Sequence, residues 1–327
     1  MPPPPSAFAD ALVLTGPTGS GKSAVALEVA EQIGGEIVAM DSMTLYRGMD
    51  IGTAKPSAAD RARVPHHLLD LLDPSESANV AWWLDRAAAA CADIRGRGKR
   101  PLLVGGTPFY LKAVLCGLSD APPADPAVRG ELEAEAGRIG PAALHARLAA
   151  VDPPSAARLH PNDVRRVVRA LEVFTLTGRP LSSFHETWDS PSFLAPDRPV
   201  PPPARISCLW LDWPRESLYR RINTRVGEMI AAGWVDEVRS LLQRSRLIGR
   251  EASQAIGYKE LAAHLSGSGP GWAETVESIK TRTRQFAKRQ LTWFRGLAGC
   301  EPCPAAAPGL AGRALSFWTA SRSAGEN

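Results

Sequence analysis

The sequence predicts an α/β fold: a parallel sheet covered by helices, a helical block set between its parts, and a helical C-terminal region. Three observations predict it. Short apolar runs alternate with amphipathic helical stretches through the first 118 residues, the pattern of a parallel sheet covered on both faces. Between residues 119 and 203 the texture turns helical and proline-flanked, and an apolar strand then resumes at Arg205 to Asp212. After Pro214 the pattern is helical again, and its last part is strongly basic.

The first strand begins at Leu12 and runs into Gly16-Pro17-Thr18-Gly19-Ser20-Gly21-Lys22-Ser23, with an apolar-periodic helix following to about Ile33. Gly16, four residues, and then Gly21-Lys22-Ser23 make the phosphate-binding loop pattern in the strand–turn–helix context it requires. Gly16, Gly19 and Gly21 let the backbone take positive φ and approach a ligand closely. The loop N–H groups and the N-terminus of the new helix form a positive cradle for phosphate oxygens. Lys22 adds a point charge, and the Ser23 hydroxyl is a natural Mg²⁺ ligand. The expected core is therefore P-loop NTPase-like, and it binds a polyphosphate.

Glu36 to Met40 reads as a second buried strand. Asp41 follows it at a strand carboxyl end, where open α/β sheets place their chemistry. Residues 41–56 form a polar loop, and His66 to Leu72 a third, edge-like strand. Adjacent histidines on a strand point to opposite sides, which favours surface or hydrogen-bonded roles over a metal pair. Val80 to Ile94 has helical spacing, with Trp83, Ala87, Cys91 and Ile94 on one face. Trp82 and Trp83 read as packing rather than as a base-stacking platform. Pro101 to Thr107 is a further strand opening into a glycine turn and the helix Pro108 to Leu115.

In the helical block, helices are expected over 127–138, 141–149, 153–159 and 163–175, followed by the proline-rich Ser190 to Pro203. This reads as a domain inserted into the α/β core, although the same proline clusters suit ordinary loops. After Pro214, Leu218, Ile222, Val226, Met229 and Ile230 share an apolar face, with Arg215, Arg220, Arg221 and Arg225 off it. Farther on, Lys280, Arg282, Arg284, Lys288, Arg289 and Arg295 run with no acid among them, interleaved with Phe286, Trp293 and Phe294. Such a run is a solvated helix face or, beside a phosphate-binding core, a nucleic-acid surface.

The 44% hydrophobic and 22% charged content of the 327 residues is ordinary for a globular protein, and the net charge of +4 does not itself require a nucleic-acid partner. No apolar stretch has membrane-span length, so no membrane partner is expected. Met1 to Ser6 lacks the features of a signal peptide and reads as flexible. Five cysteines, an odd number, fit a reducing cytoplasm. Cys300-Glu-Pro-Cys303 has half-zinc-site spacing, but with no second pair or nearby histidine it reads as incidental. The expected division is a tail (1–9), core (10–118), helical insertion (119–203), core return with a helical part (204–297), and a low-information tail (298–327).

From Leu12 to Gly296 the chain resembles the bacterial tRNA dimethylallyltransferase family. The likeness rests on Gly16 to Ser23, Asp41-Ser42-Met43-Thr44-Leu45-Tyr46, Asp50-Ile51-Gly52-Thr53-Ala54-Lys55-Pro56 and Val104-Gly105-Gly106-Thr107. It continues in His160-Pro161-Asn162-Asp163, Arg169-Ala170-Leu171-Glu172-Val173, Ile256-Gly257-Tyr258-Lys259 and residues 283–294. The resemblance implies transfer of the dimethylallyl group from dimethylallyl diphosphate to N6 of the adenosine 3′ of the tRNA anticodon, with release of pyrophosphate. It implies Asp41 as base, Thr107 hydrogen-bonding near the reacting centre, and Arg221 on the pyrophosphate, with Arg215 as second choice. Asp41 as a Mg²⁺ ligand, as in ordinary P-loop ATPases, stands as the alternative.

The loop pattern alone would be read as nucleotide- or ATP-binding; the resemblance makes the donor diphosphate the occupant of Gly16, Pro17, Thr18, Gly19, Ser20, Gly21, Lys22 and Ser23, with Mg²⁺ held partly by Ser23. It implies contacts to the tRNA anticodon stem-loop from Asp41, Ser42, Met43, Thr44, Thr107, Arg129, Arg165, Arg166, Arg169, Gln254, Lys259, Arg284, Lys288 and Arg289. Thr44 stands where the family varies, and Gln254 where some members carry a cation. A cytoplasmic monomer is expected. Three other readings compete. A small-molecule P-loop kinase has no use for the basic helix or the helical block. An adenylate dimethylallyltransferase tends to lack so large an insertion. A non-enzymatic RNA-binding protein does not need Asp41, Thr107 and the loop together.

Overall fold

The apolar runs form β1 (Leu12–Thr15), β2 (Gly35–Ala39), β3 (His66–His67), β4 (Arg100–Gly105) and β5 (Ser207–Asp212). With β6 (Cys300–Pro304) they make one parallel sheet of order β3-β2-β4-β1-β5-β6. The structure, a computed structural model, describes residues 2–184, 206–244, 246–297 and 299–323. It divides into two units, Met1–Gly117 with Pro199–Asn327, and Leu118–Arg198.

All four residues of β1 are buried, as a central strand covered on both faces requires. Thr15 lies beside Gly105 on one side and Trp210 on the other, and its Oγ1 donates to the Gly105 carbonyl at 2.7 Å. The carboxyl ends of β1, β4 and β5 are thus held level, and the loops that follow emerge along one edge. On one sheet face, α1 (Lys22–Ile33) and α13 (Leu310–Ser323) pack over Leu14, Leu102 and Leu209. Elsewhere in this unit, α3 (Val80–Gly96) and α4 (Pro108–Cys116) meet where fully buried Trp83 stacks on Tyr110, ring centroids 4.5 Å apart. Trp83 Nε1 also donates to the Ala39 carbonyl at 3.2 Å, while Trp82 lies beneath the Arg86 guanidinium. The tryptophan pair packs as expected.

Several expectations are corrected. The third strand stops at His67 because Leu68 and Asp70 adopt φ of 64° and 56°, which no strand tolerates. The histidines do take hydrogen-bonded roles, His67 Nε2 with Glu36 and His66 Nδ1 with the Val64 carbonyl, both at 2.7 Å. The 41–56 loop is more than a polar connection, since it buries Leu45, Tyr46 and Met49. Its Lys55 side chain is 1% exposed and pairs with both Asp50 and Asp70 at 2.6 Å. The 1–9 segment is anchored: Pro5–Phe8 forms a short 3₁₀ turn, Phe8 is fully buried, and Arg95 donates to the Ala7 carbonyl.

The end of the chain is corrected most. Instead of a low-information tail, it supplies β6, which pairs with β5, and α13, whose Trp318 is 2% exposed. Cys300 is disulfide-bonded to Cys208 on the neighbouring strand, so it is neither incidental nor half of a zinc site. Cys91, Cys116 and Cys303 are free.

In the second unit, α5 (Pro126–Ile139), α6 (Pro141–Val151), α7 (Pro153–Arg158) and α8 (Val164–Thr177) surround Leu132, Leu144, Leu148, Val167 and Leu171. Asp125, Asp152 and Asp163 cap α5, α7 and α8 through their side chains. The proline-rich Ser190 to Pro203 lies outside the described residues. The first unit resumes with β5, α9 (Arg215–Ala231), α10 (Trp234–Leu242), α11 (Tyr258–Leu265) and α12 (Trp272–Arg295). Of the expected apolar face of α9, Leu218, Ile222 and Val226 are buried, while Met229 and Ile230 are only half-buried. Among the described residues, no helix is long and apolar enough to cross a membrane.

The burial of Trp318, with its Nε1 donating to the Ser207 carbonyl at 3.2 Å, gives a direct test of the C-terminal correction. Trp318→Ala is expected to cost about 3–5 kcal/mol in denaturant unfolding; a segment outside the core would show almost no change.

Candidate functional site: a braced phosphate loop facing a carboxylate

The loop 16–23 carries φ of 79° at Gly19 and 86° at Gly21, and α1 starts at Lys22. Its first-turn N–H groups have no partner within the helix and remain for an anion. Ser20 Oγ is buried and has no hydrogen-bond partner in the protein. Three polar groups of the loop are met by distant side chains. Arg221 Nε donates to the Gly19 carbonyl and Trp213 Nε1 to the Ser20 carbonyl, both at 2.8 Å. The Arg221 guanidinium also stacks over the Trp213 ring at 4.5 Å. Gln290 Oε1 accepts the Thr18 N–H at 2.9 Å.

Lys22, Asp41 and Arg225 interact electrostatically within this site. Burial draws the Lys22 ammonium down to about 8, with Asp41 opposing the shift and Arg225 adding to it. Burial also lowers Arg225, again against the pull of Asp41; a guanidinium stays charged regardless. Asp41 Oδ1 accepts the Met43 N–H at 2.9 Å, and the Ser42 N–H donates to Thr107 Oγ1 at 3.3 Å. The structure thus brings Asp41 and Thr107 to one place. Ser23 is exposed on the first turn of α1. Among the described residues no group of three His, Cys, Asp or Glu could cage a metal.

Arg225 also lines a cavity of about 630 Å³ walled by Ile51, Ala54, Met229 and Ala232. The wall at 50–52 is pinned from behind. Glu237 accepts the N–H groups of Asp50, Ile51 and Gly52 at 2.8, 2.7 and 3.3 Å, and the Tyr258 hydroxyl at 2.6 Å. Trp234 fills the space beside Gly52 and Gly257, where a Cβ would come within 2.1 and 2.0 Å of the indole. The Asp50 to Pro56 and Ile256 to Lys259 motifs are therefore two sides of one clamp.

The residues expected to hold nucleic acid divide. Lys288, Arg289, Lys259 and Gln254 are exposed, and Arg289 lies 5.9 Å over the Phe286 ring. Arg284 is held by Asn223 at 2.7 Å and Glu277 at 2.9 Å, and Arg282 by Glu260 at 2.6 Å. The basic run thus finds some of its acids on other turns and helices. Thr44 is turned inward, its hydroxyl 3.4 Å from the Asp41 carbonyl. In the second unit, Arg165 and Arg166 are exposed, whereas Arg129 and Arg169 both reach the buried Glu172 carboxylate at 2.7 Å.

The IPP transferase family model matches residues 44–297, and an isopentenyl transferase model matches residues 9–68. The tRNA dimethylallyltransferase of Geobacter metallireducens is 52% identical over 284 residues, 87% of this chain and 89% of the relative. That of Methylibium petroleiphilum is 50% identical over 296 residues, 90% and 89% of the two chains. The chain belongs to the tRNA dimethylallyltransferase family. Among solved structures, the full-length tRNA isopentenylpyrophosphate transferase of Bacillus halodurans superposes with a TM-score of 0.68 at 36% identity, covering 97% of this chain and 100% of that one. A eukaryotic dimethylallyltransferase acting on tRNA gives a TM-score of 0.74 at 29% identity, covering 91% and 74%.

In this member of the tRNA dimethylallyltransferase family, the roles of three polar residues of the site were not evident from sequence. Arg225 interacts with Asp41 and Lys22, Arg221 braces the loop with its Nη2 3.1 Å from where a Cβ on Gly21 would stand, and Arg215 turns to the Tyr219 hydroxyl at 2.9 Å. Four-residue spacing puts Arg221 and Arg225 on one helix face, so sequence could not separate them. Gln290 is neutral within a basic run, and Glu237 carries no motif at all.

Two outcomes are expected. Relative to Lys22→Arg, wild-type affinity for inorganic pyrophosphate should hold below pH 8 and weaken by up to roughly tenfold by pH 9, as the free Lys22 loses its charge; calorimetry across that range checks it. Glu172→Ala leaves Arg129 and Arg169 without their shared carboxylate. It should destabilise its unit by about 3 kcal/mol, read by urea unfolding of the full chain.

Proposed function

We propose that this protein transfers the dimethylallyl group of dimethylallyl diphosphate to N6 of the adenosine 3′ of the anticodon in tRNA, releasing pyrophosphate. The observation that carries the reading is one site in which Lys22 and Arg225 accompany a phosphate loop while Asp41, with Thr107 beside its backbone, interacts with both cations. The C1–O bond of the donor breaks with its electron pair leaving on pyrophosphate. The C1–N6 bond forms, and the N6 proton passes to the Asp41 carboxylate.

Charge gathers on the leaving oxygens, so fixed donors there lower the barrier. The loop amides, Lys22, Arg225 and the unpartnered Ser20 hydroxyl are such donors. Ser23 and the donor's phosphate oxygens would hold Mg²⁺, which when bound adds positive charge against the departing pyrophosphate. Ile51, Ala54 and Met229 offer the branched hydrocarbon an apolar wall beside Arg225. Thr107 Oγ1, accepting from Ser42, holds the Asp41 segment against the glycine turn.

An adenine inside an anticodon loop must be splayed out to reach such a site, at a cost of a few kcal/mol. Cations along the phosphate backbone offset that cost. Exposed Lys259, Lys288, Arg289, Arg165 and Arg166 suit that task. The test is incubation with Mg²⁺, labelled dimethylallyl diphosphate and unmodified tRNA, with AMP as a parallel acceptor. Label should enter tRNA and not AMP. Asp41→Ala and Arg225→Gln should each lower kcat by about 100-fold. Label in neither acceptor, with ATP consumed instead, would return the chain to the small-molecule kinases.

A further inference from the structure

Gln290 sits in the basic stretch of α12, between Arg289 and Leu291, yet it is only 2% exposed. Its Oε1 accepts the Thr18 N–H at 2.9 Å, and its Nε2 donates to the Gly106 carbonyl at 2.5 Å. One side chain therefore joins the phosphate loop to the turn that presents Thr107. The β1–β4 ladder ends at Thr15 and Gly105, so past that point the two loops need another tie.

The junction has no slack. A Cβ on Gly106 would stand 2.9 Å from Gln290 Nε2, 3.1 Å from the Gly16 carbonyl and 3.3 Å from Lys22 Nζ. A primary amide suits the place because it carries one acceptor and a donor, and it is neutral. A carboxylate would lose the bond to Gly106 and set a negative charge beside Lys22. A lysine or arginine would lose the bond to Thr18.

We propose that Gln290 is a positioning residue that sets the distance between the phosphate loop and the Gly106–Thr107 turn, so that leaving group and acceptor meet in one geometry. Its effect on turnover rests on the prenyl-transfer reading; its effect on anion binding does not. Misplacement of reacting groups by about 1 Å can cost 100-fold in rate.

Gln290→Met keeps length and apolar bulk and removes both bonds. With Mg²⁺ present, affinity for inorganic pyrophosphate, measured by calorimetry, should fall about tenfold. The kcat at saturating substrates should fall about 100-fold. Affinity for unmodified tRNA, by filter binding, should stay within about threefold. Pyrophosphate affinity within about threefold of wild type overturns the proposal, and so does an equal fall in pyrophosphate and tRNA affinity, which would mark general damage to the fold. If Gln290→Met does not fold, Gln290→Leu, which also removes both bonds and adds no charge, is held to the same criteria. A wild-type protein that binds pyrophosphate but does not prenylate tRNA refutes the transfer reading, while the pyrophosphate comparison still decides the role of Gln290.

Discussion

A backbone loop that turns its N–H groups toward a ligand leaves other polar groups facing the protein, and buried ones must find partners. That constraint organises the first unit. The carbonyls of Gly19 and Ser20 are met by Arg221 and Trp213, and the N–H of Thr18 by Gln290. Trp213 arrives because β5 returns to the sheet after the second unit, Arg221 because α9 follows β5, and Gln290 because α12 crosses the same edge. The helices after residue 214 are thus a mould for the loop as well as a basic surface.

Charge is handled differently at the site and away from it. Lys55 is matched by Asp50 and Asp70, and Glu172 by Arg129 and Arg169, each with ion pairs that offset desolvation. At the phosphate loop, three cations, Lys22, Arg221 and Arg225, are gathered against two carboxylates, Asp41 and Glu228, and burial lowers Lys22 and Arg225. The positive excess costs stability and is relieved by an anion. The same imbalance favours an anion in the loop.

Much of this was legible in the sequence. The loop, Asp41 and Thr107 follow directly from strand ends, and their neighbourhood is local or set by the ladder. The four helices of 126–177 announce themselves through proline starts and aspartate caps. What escaped depends on contacts distant in sequence. The spacing of Arg221 and Arg225 cannot say which one turns inward, and Arg284 looks unpaired until Asn223 and Glu277 are seen beside it. The strand Cys300–Pro304 has two prolines and no β-branched residue, a composition acceptable only at a sheet edge, so it gave no strand signal.

The tie between Thr18 and Gln290 spans 272 residues of chain. Synthesis runs from the N-terminus, so the loop leaves the ribosome well before its brace at Gln290. Contacts of such long sequence separation close late in folding. A product cut short before Gln290 would hold the whole phosphate-loop motif and Asp41, yet lack the amide that joins one loop to the other. The ordering of the phosphate loop thereby waits on a segment made long after the loop itself.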